Sequence, residues 1–206
     1  MKDAAIYLKP LVEPSQKRAK ETYRSLLRAA QEVLSEGGIE ALNSNAIVEQ
    51  AGLTAPAFYR YFENKHSILA VLGRQLMDTQ NAIAESTLSL DGSAEGGFLE
   101  QTEILLRKTL EVTEAFKGGY ALMVSLRAIP ALRPIRLSSH SYVAKRLTDR
   151  YLDVYPDVVP DDAYDRFRLA IEIGYACIEM LLETDECNRE RVIVRTAVAI
   201  RAIFFR

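Results

Sequence analysis

The 206-residue chain has no tryptophan, two cysteines and two histidines. Two thiols, Cys177 and Cys187, cannot make a disulfide framework and fit a reducing, cytoplasmic setting. His66 and His140 lie far from both cysteines and no paired ligand spacing occurs, so a zinc site is not expected. No stretch approaches the roughly 18 apolar residues of a membrane span. The opening MKDAAIYLKPLVEP is broken by Pro10 and Pro14 and does not read as a signal peptide. A phosphate-binding loop, a metal constellation and a nucleophile–base motif are all missing, so no catalytic residue and no cofactor is assigned and an enzyme is not expected.

What is present favours helix. Hydrophobic residues make up 49% and charged residues 26%, with Leu, Ala, Glu and Arg prominent. After an arm over residues 1–14, Ser15 reads as an N-cap. The helix that follows carries Tyr23, Leu26, Leu27, Ala30 and Leu34 on one stripe. Gly37-Gly38 predicts its stop. Asn43-Ser44 then caps a short helix through Ile47, Val48 and Ala51, and Gly52 breaks it. Thr54 predicts the next start, with Pro56 in the first turn where its missing N–H costs nothing. A long helix, a short helix, a glycine turn and another short helix together predict a helix-turn-helix. A fourth helix is expected over about 65–88, and DGSAEGG (residues 91–97) as a linker.

The rest predicts helix as well: from Phe98 to Gly118, Tyr120–Ile129, 135–154, 161–184 and 189–205. The fold class is therefore all-α. The last two helices are apolar over most of their circumference, which demands burial on several sides. Burial within one chain satisfies that, and so does pairing with the same helices of a second copy, the commonest oligomer being a symmetric dimer. On the second reading the dimer interface comprises Tyr164, Ile171, Gly174 and Ile178, with Ile193, Ala197, Ile200 and Phe204. Gly174 and Ala170 would allow close backbone approach.

Charge is uneven. The net charge is −2, yet Lys17, Arg18, Lys20, Arg24 and Arg28 face only Glu21 in one short segment. Just past Gly52 comes APAFYRYFENK, four aromatics in five positions interleaved with Arg60 and followed by Lys65. Phe58 and Phe62, four apart, suit the inside of a short helix. Tyr hydroxyls, Arg and Lys instead suit phosphate oxygens. A basic, aromatic face on an otherwise acidic chain points to nucleic acid.

AGLTAPAFYRYFENKHSIL resembles the recognition-helix signature of the TetR family of transcriptional regulators. Ala51, Gly52, Tyr59, Tyr61, Phe62, Lys65 and Leu69 match its usual form, and Leu53, Thr54 and Phe58 are close substitutes. The resemblance covers about residues 16–69; beyond that only helical content and length agree. It implies a helix-turn-helix DNA-binding domain over 15–66 and a helical effector-binding and dimerisation domain over 67–206. It implies a homodimer on a double-stranded, palindromic DNA operator, a repressor in the usual case, released by a small-molecule effector. Carried over by position, Thr54, Ala55 and Ala57 would face the groove. Tyr59 and Lys65 would hold phosphates, with Arg60 and Tyr61 as further contacts. Ser44, Asn45 and Lys17 would also reach the backbone. The departure is Ala55-Pro56-Ala57, where the family commonly has a polar residue, Gly and Thr. Two of these side chains offer a base edge only methyl groups, which could pack on thymine methyls.

For the effector, the candidate pocket residues are Tyr120, Met123, Arg127, His140, Tyr142 and Tyr175. Arg127 is the lone charge in GYALMVSLRAIPAL and would suit a carboxylate if buried, or reach solvent along its stem if not. Cys177 on an apolar stripe reads as inert core. The rival reading is an architectural or partner-binding DNA protein with no effector. A closed apolar cavity with a few polar groups would favour the regulator. A filled core with an exposed apolar patch would favour the rival.

Overall fold

The computed structural model describes residues 14–88 and 95–205; the predicted arm, up to residue 13, and the first part of the predicted linker, 91–94, lie outside them. Nine helices and no strand occur among the described residues: α1 Lys17–Ala41, α2 Ser44–Ala51, α3 Ala55–Tyr59, α4 Lys65–Thr87, α5 Glu95–Ala115, α6 Gly119–Ala128, α7 Arg133–Val154, α8 Pro160–Glu183 and α9 Arg189–Phe204. The chain divides into two compact units, Met1–Met77 with Glu114–Arg136, and Asp78–Thr113 with Leu137–Arg206.

In the first unit the punctuation follows local chemistry. The Asn43 side chain accepts from the Ala46 N–H at 3.0 Å and so caps α2. Gly52 closes α2 at φ 63°, a left-handed conformation that favours glycine. Thr54 occupies the N-cap position of α3, although only its backbone serves there, its carbonyl accepting from Ala57 at 2.9 Å. Asn64 and Ser67 exchange side-chain and backbone bonds at the start of α4.

Some boundaries differ from the sequence reading. Gln16, not Ser15, occupies the N-cap position of α1, with no side-chain cap bond. At Gly38, where the sequence predicts the stop, the helical conformation is broken at φ 65°, and a separate short turn then runs on to Ala41 before buried Leu42. Glu95 to Gly97, expected in the linker, already belong to α5.

The first unit's core joins Leu26, Ala30 and Leu34 of α1 to Ile47 of α2, Phe58, Phe62 and the first turns of α4. Tyr23 stacks on Phe62 with centroids 5.2 Å apart, and Phe58 meets Phe62 at 5.6 Å. Phe58 and Phe62, both fully buried, each stabilise the unit by about 1.5–3 kcal/mol. A three-helix head as small as this depends on those rings. Helix α6 packs on α1; Gly118, at φ 73°, starts it directly over Leu34.

The second unit gathers the far end of α4, most of α5, and α7 to α9. Its core holds Ala84, Phe98, Leu147, Tyr151, Phe167 and Phe204 among others. Asn188 caps α9 by accepting from Arg191 at 2.9 Å. At the surface Arg107 donates to Glu190 and Glu103. The bond from Arg107 holds the Glu190 carboxyl below its ordinary value.

Candidate nucleic-acid interface and ligand cavity

In the first unit, α2 and α3 meet across Gly52 and present one polar face. Its geometry centres on a contact the sequence did not foresee: Ser44 Oγ and Tyr59 Oη lie 3.0 Å apart, joining the first residue of α2 to the last of α3. Tyr59 is 51% exposed, and its ring rests edge-on against buried Phe58. The phenol is thus anchored at its base and outward at its hydroxyl. Asn45, Thr54, Pro56, Arg60 and Lys17 are exposed, while Ala55, Ala57 and Lys65 are partly so. Lys65 opens α4, where the positive end of the helix dipole adds to its own charge.

Tyr61 is placed differently. It is 2% exposed, packs edge-on against Tyr23 and directs its hydroxyl to the Ala19 carbonyl at 3.4 Å. The resemblance named it as a contact; in the structure it holds α1 against the chain just past α3. Arg60 lies over its ring at 5.7 Å, a cation–π contact that leaves the guanidinium at the surface.

The second unit contains a cavity of about 90 Å³. Each helix turns a single face toward it. On α4 and just past its end these are Gln80, Ala84 and Leu88, each four residues from the last; on α5 Phe98, Thr102, Leu105 and Thr109; on α7 His140, Val143 and Leu147. Helix α8 adds Phe167, Ile171, Gly174, Tyr175 and Ile178, and α9 adds Ile200 and Phe204.

The lining is graded. At one end Tyr175 Oη donates to Gln80 Oε1 at 2.7 Å, and the His140 ring lies 4.2 Å from the Tyr175 ring. Gln80 Nε2 in turn donates to Thr113 at 2.8 Å. Behind them the His140 Nδ1 and an Arg168 guanidine nitrogen both contact one oxygen of Glu172, at 3.0 and 3.1 Å. At the other end Phe98 and Phe167 flank Phe204, with centroids 5.1 and 4.8 Å away. Thr102, in the apolar half, spends its hydroxyl on the Phe98 carbonyl at 2.7 Å.

Of the six candidate pocket residues, His140 and Tyr175 line this cavity. Tyr120, Met123 and Arg127 belong to the first unit; Met123 is buried in its core and Arg127 is exposed. Tyr142 is 52% exposed. Gln80, which the sequence reading passed over, is 3% exposed on α4's apolar stripe, four residues after Leu76 and four before Ala84. A polar side chain at a stripe position was the available signal.

The candidate interface residues also turn inward. Ile171, Gly174, Ile178, Ile200 and Phe204 line the cavity, Ile193 and Ala197 are buried within the chain, and Tyr164 is partly covered. On the same two helices Leu169, Met180 and Val198 are the exposed large apolar residues. Cys177 is buried, and that burial pushes its thiol upward against a hydrogen bond to Thr196. Among the described residues no helix is long and apolar enough to cross a membrane, and no group of three potential metal ligands occurs.

Comparison with known proteins agrees with this geometry. Residues 26–72 match the family model TetR_N, bacterial regulatory proteins of the tetR family. The HTH-type transcriptional regulator YvdT of Bacillus subtilis is 29% identical over 115 residues, 55% of this chain and 56% of YvdT, so the match spans just over half of that relative's length. UidR, an HTH-type transcriptional regulator of Escherichia coli, is 21% identical over 190 residues, covering 87% of this chain and 91% of UidR. Among solved structures, the regulator FadR from Bacillus subtilis in complex with stearoyl-CoA shares the fold with a TM-score of 0.65 at 17% identity, over 87% of this chain and 96% of FadR. With the signature in its helix-turn-helix and an all-helical remainder of matching fold, the chain carries the helix-turn-helix domain of the bacterial regulatory proteins of the TetR family over residues 26–72.

Proposed function

We propose that the protein is a homodimeric repressor that binds a palindromic DNA operator and is released when a small molecule enters the cavity of the second unit. The observation that carries this reading is the coexistence of two unlike sites. One is an exposed face of phosphate donors on a helix-turn-helix; the other is an apolar cavity with a few convergent polar groups. A purely architectural DNA protein needs the first and has no use for the second.

Ser44, Asn45, Tyr59, Lys65 and Lys17 supply backbone contacts that set register without reading sequence. Thr54 and the methyl groups of Ala55 and Ala57 face the base edges. Leu169, Met180 and Val198, apolar and exposed on the terminal helices, are the surface offered to a second copy. A two-fold dimer then places its recognition helices about 34 Å apart, one turn of DNA. A ligand weakens DNA binding only by favouring another spacing; about 2–3 kcal/mol of coupling changes affinity roughly thirtyfold to a hundredfold and more. FadR, solved with stearoyl-CoA, is a neighbour of this fold that holds a small molecule.

The test is a sedimentation measurement of the protein on its selected duplex, followed by titration with compounds that raise its melting temperature. The proposal expects two chains per duplex and at least one stabilising compound that also releases DNA. One chain per duplex, or stabilising compounds that never alter DNA affinity, would contradict it.

A further inference from the structure

The cavity is specific enough to name the kind of molecule it takes; this rests on the effector reading above. Its free space of about 90 Å³ corresponds, at 10–15 Å³ for each water-sized sphere, to about six to nine non-hydrogen atoms. Its shape is long. The lining runs from Gln80 on α4 to Leu88 just past its end, a step of eight residues and so about 12 Å at about 1.5 Å per residue. A volume that small spread over that length admits an unbranched chain and resists a compact ring.

Charge comes next. Lysine, arginine, aspartate and glutamate are all missing from the lining residues. The nearest ions, Arg168 and Glu172, are engaged with each other behind His140. A carboxylate or ammonium head would therefore be desolvated with no lysine, arginine, aspartate or glutamate on the wall to offset it, at a cost of several kcal/mol. Arg127, the cation the sequence offered for a carboxylate, is exposed and lies in the other unit.

The head group is read from Gln80, which is 3% exposed. A primary amide has two N–H donors and an oxygen with two lone pairs. Gln80 uses one donor on Thr113 and one lone pair on Tyr175, which leaves one N–H and one lone pair at the cavity's polar end. A group that both donates and accepts satisfies the two together. A hydroxyl does this; a ketone or ester only accepts. We propose that the cavity binds an uncharged, unbranched aliphatic alcohol of about six to nine non-hydrogen atoms, its hydroxyl on Gln80 and its chain laid toward Phe98, Phe167 and Phe204.

Titration calorimetry on the full protein at pH 8, with 1-octanol, 2-octanone, octanoate and cyclooctanol, tests each part separately. 1-Octanol binds best, by about tenfold over 2-octanone, the value of one hydrogen bond of about 1.4 kcal/mol. Cyclooctanol, of equal atom count but compact, and octanoate, charged, bind more weakly still. Gln80→Met, which keeps the volume, brings 1-octanol down to the level of 2-octanone; the four-ligand series in the native protein decides the matter even if that variant does not fold. Equal binding of 1-octanol and 2-octanone, or tighter binding of octanoate or cyclooctanol, overturns the proposal. 1-Octanol binding that leaves DNA affinity unchanged upholds the ligand class and sinks the effector reading, whereas octanoate that binds tightest and releases DNA does the reverse.

Discussion

The Ser44–Tyr59 pair gives the account its sharpest consequence. Tyr59→Phe removes one oxygen and nothing else, since the ring stays edge-on against Phe58. In the free protein that oxygen bonds Ser44 at the surface, where water replaces it, so stability stays within about 0.5 kcal/mol of the native value. In the proposed complex the hydroxyl donates to a DNA phosphate, and a hydrogen bond to a charged group is worth about 1.5–3 kcal/mol. Ser44 retains its own hydroxyl and recovers part of this, leaving a loss of roughly 1–1.5 kcal/mol per head. Two heads engage one duplex, so the dimer loses about 2–3 kcal/mol, a thirtyfold to 150-fold rise in Kd. The assay is fluorescence anisotropy at fixed salt on a selected duplex and on a scrambled one. Because phosphates carry no sequence information, the loss has the same ratio on both. Ser44→Ala combined with Tyr59→Phe loses less than the sum of the single changes, since each hydroxyl orients the other. An unchanged Kd, or a loss confined to the selected duplex, refutes the reasoning.

Lys65→Ala weakens every duplex and flattens the salt dependence, reducing the slope of log K against log salt by about 1.8 for two lost phosphate contacts per dimer. Gly118→Ala forces a side chain into the left-handed conformation, and its Cβ meets Leu34 at 3.1–3.2 Å. A loss of about 1–3 kcal/mol is expected, read as a drop of several degrees in melting temperature. Thiol labelling at pH 8 modifies Cys187 in the folded protein and reaches Cys177 only on unfolding, since burial disfavours the Cys177 thiolate. Glu190→Gln removes a carboxyl held below its ordinary value of 4.5 by Arg107. Its contribution is present above that ordinary value and fades as pH falls through the lowered one, so acid titration brings the native and Glu190→Gln melting temperatures together.

Helix existence was legible in the chain because its signals are local. Asn43 and Gly52 act within a turn of themselves, and α4 and α6 to α9 begin and end within one or two residues of the sequence reading, while α5 begins and ends three residues earlier. Gly38 is a signal of the same kind: its left-handed φ of 65° breaks α1 where the sequence reading places the stop, and a short helical turn follows before buried Leu42. Faces were harder. Periodicity shows that Ile171, Ile178, Ile200 and Phe204 must be covered and is silent on whether their own chain or a second copy covers them. The cavity was hidden for a related reason, since its lining is set by which five helix faces converge. Residue type alone brought in Tyr120, Arg127 and Tyr142 and left out Gln80. Tyr61 shows the limit of a signature, which records a residue without saying whether it faces outward or holds the face in place.

The central claim is that the exposed face of α2 and α3 binds one DNA sequence as part of a two-fold dimer. Selection of random duplexes by the purified protein at physiological salt, with the enriched sites sequenced, tests it most directly. The account predicts a palindrome whose half-sites lie about one helical turn apart. Retention of duplexes with no enriched sequence, varying only with salt, would contradict it.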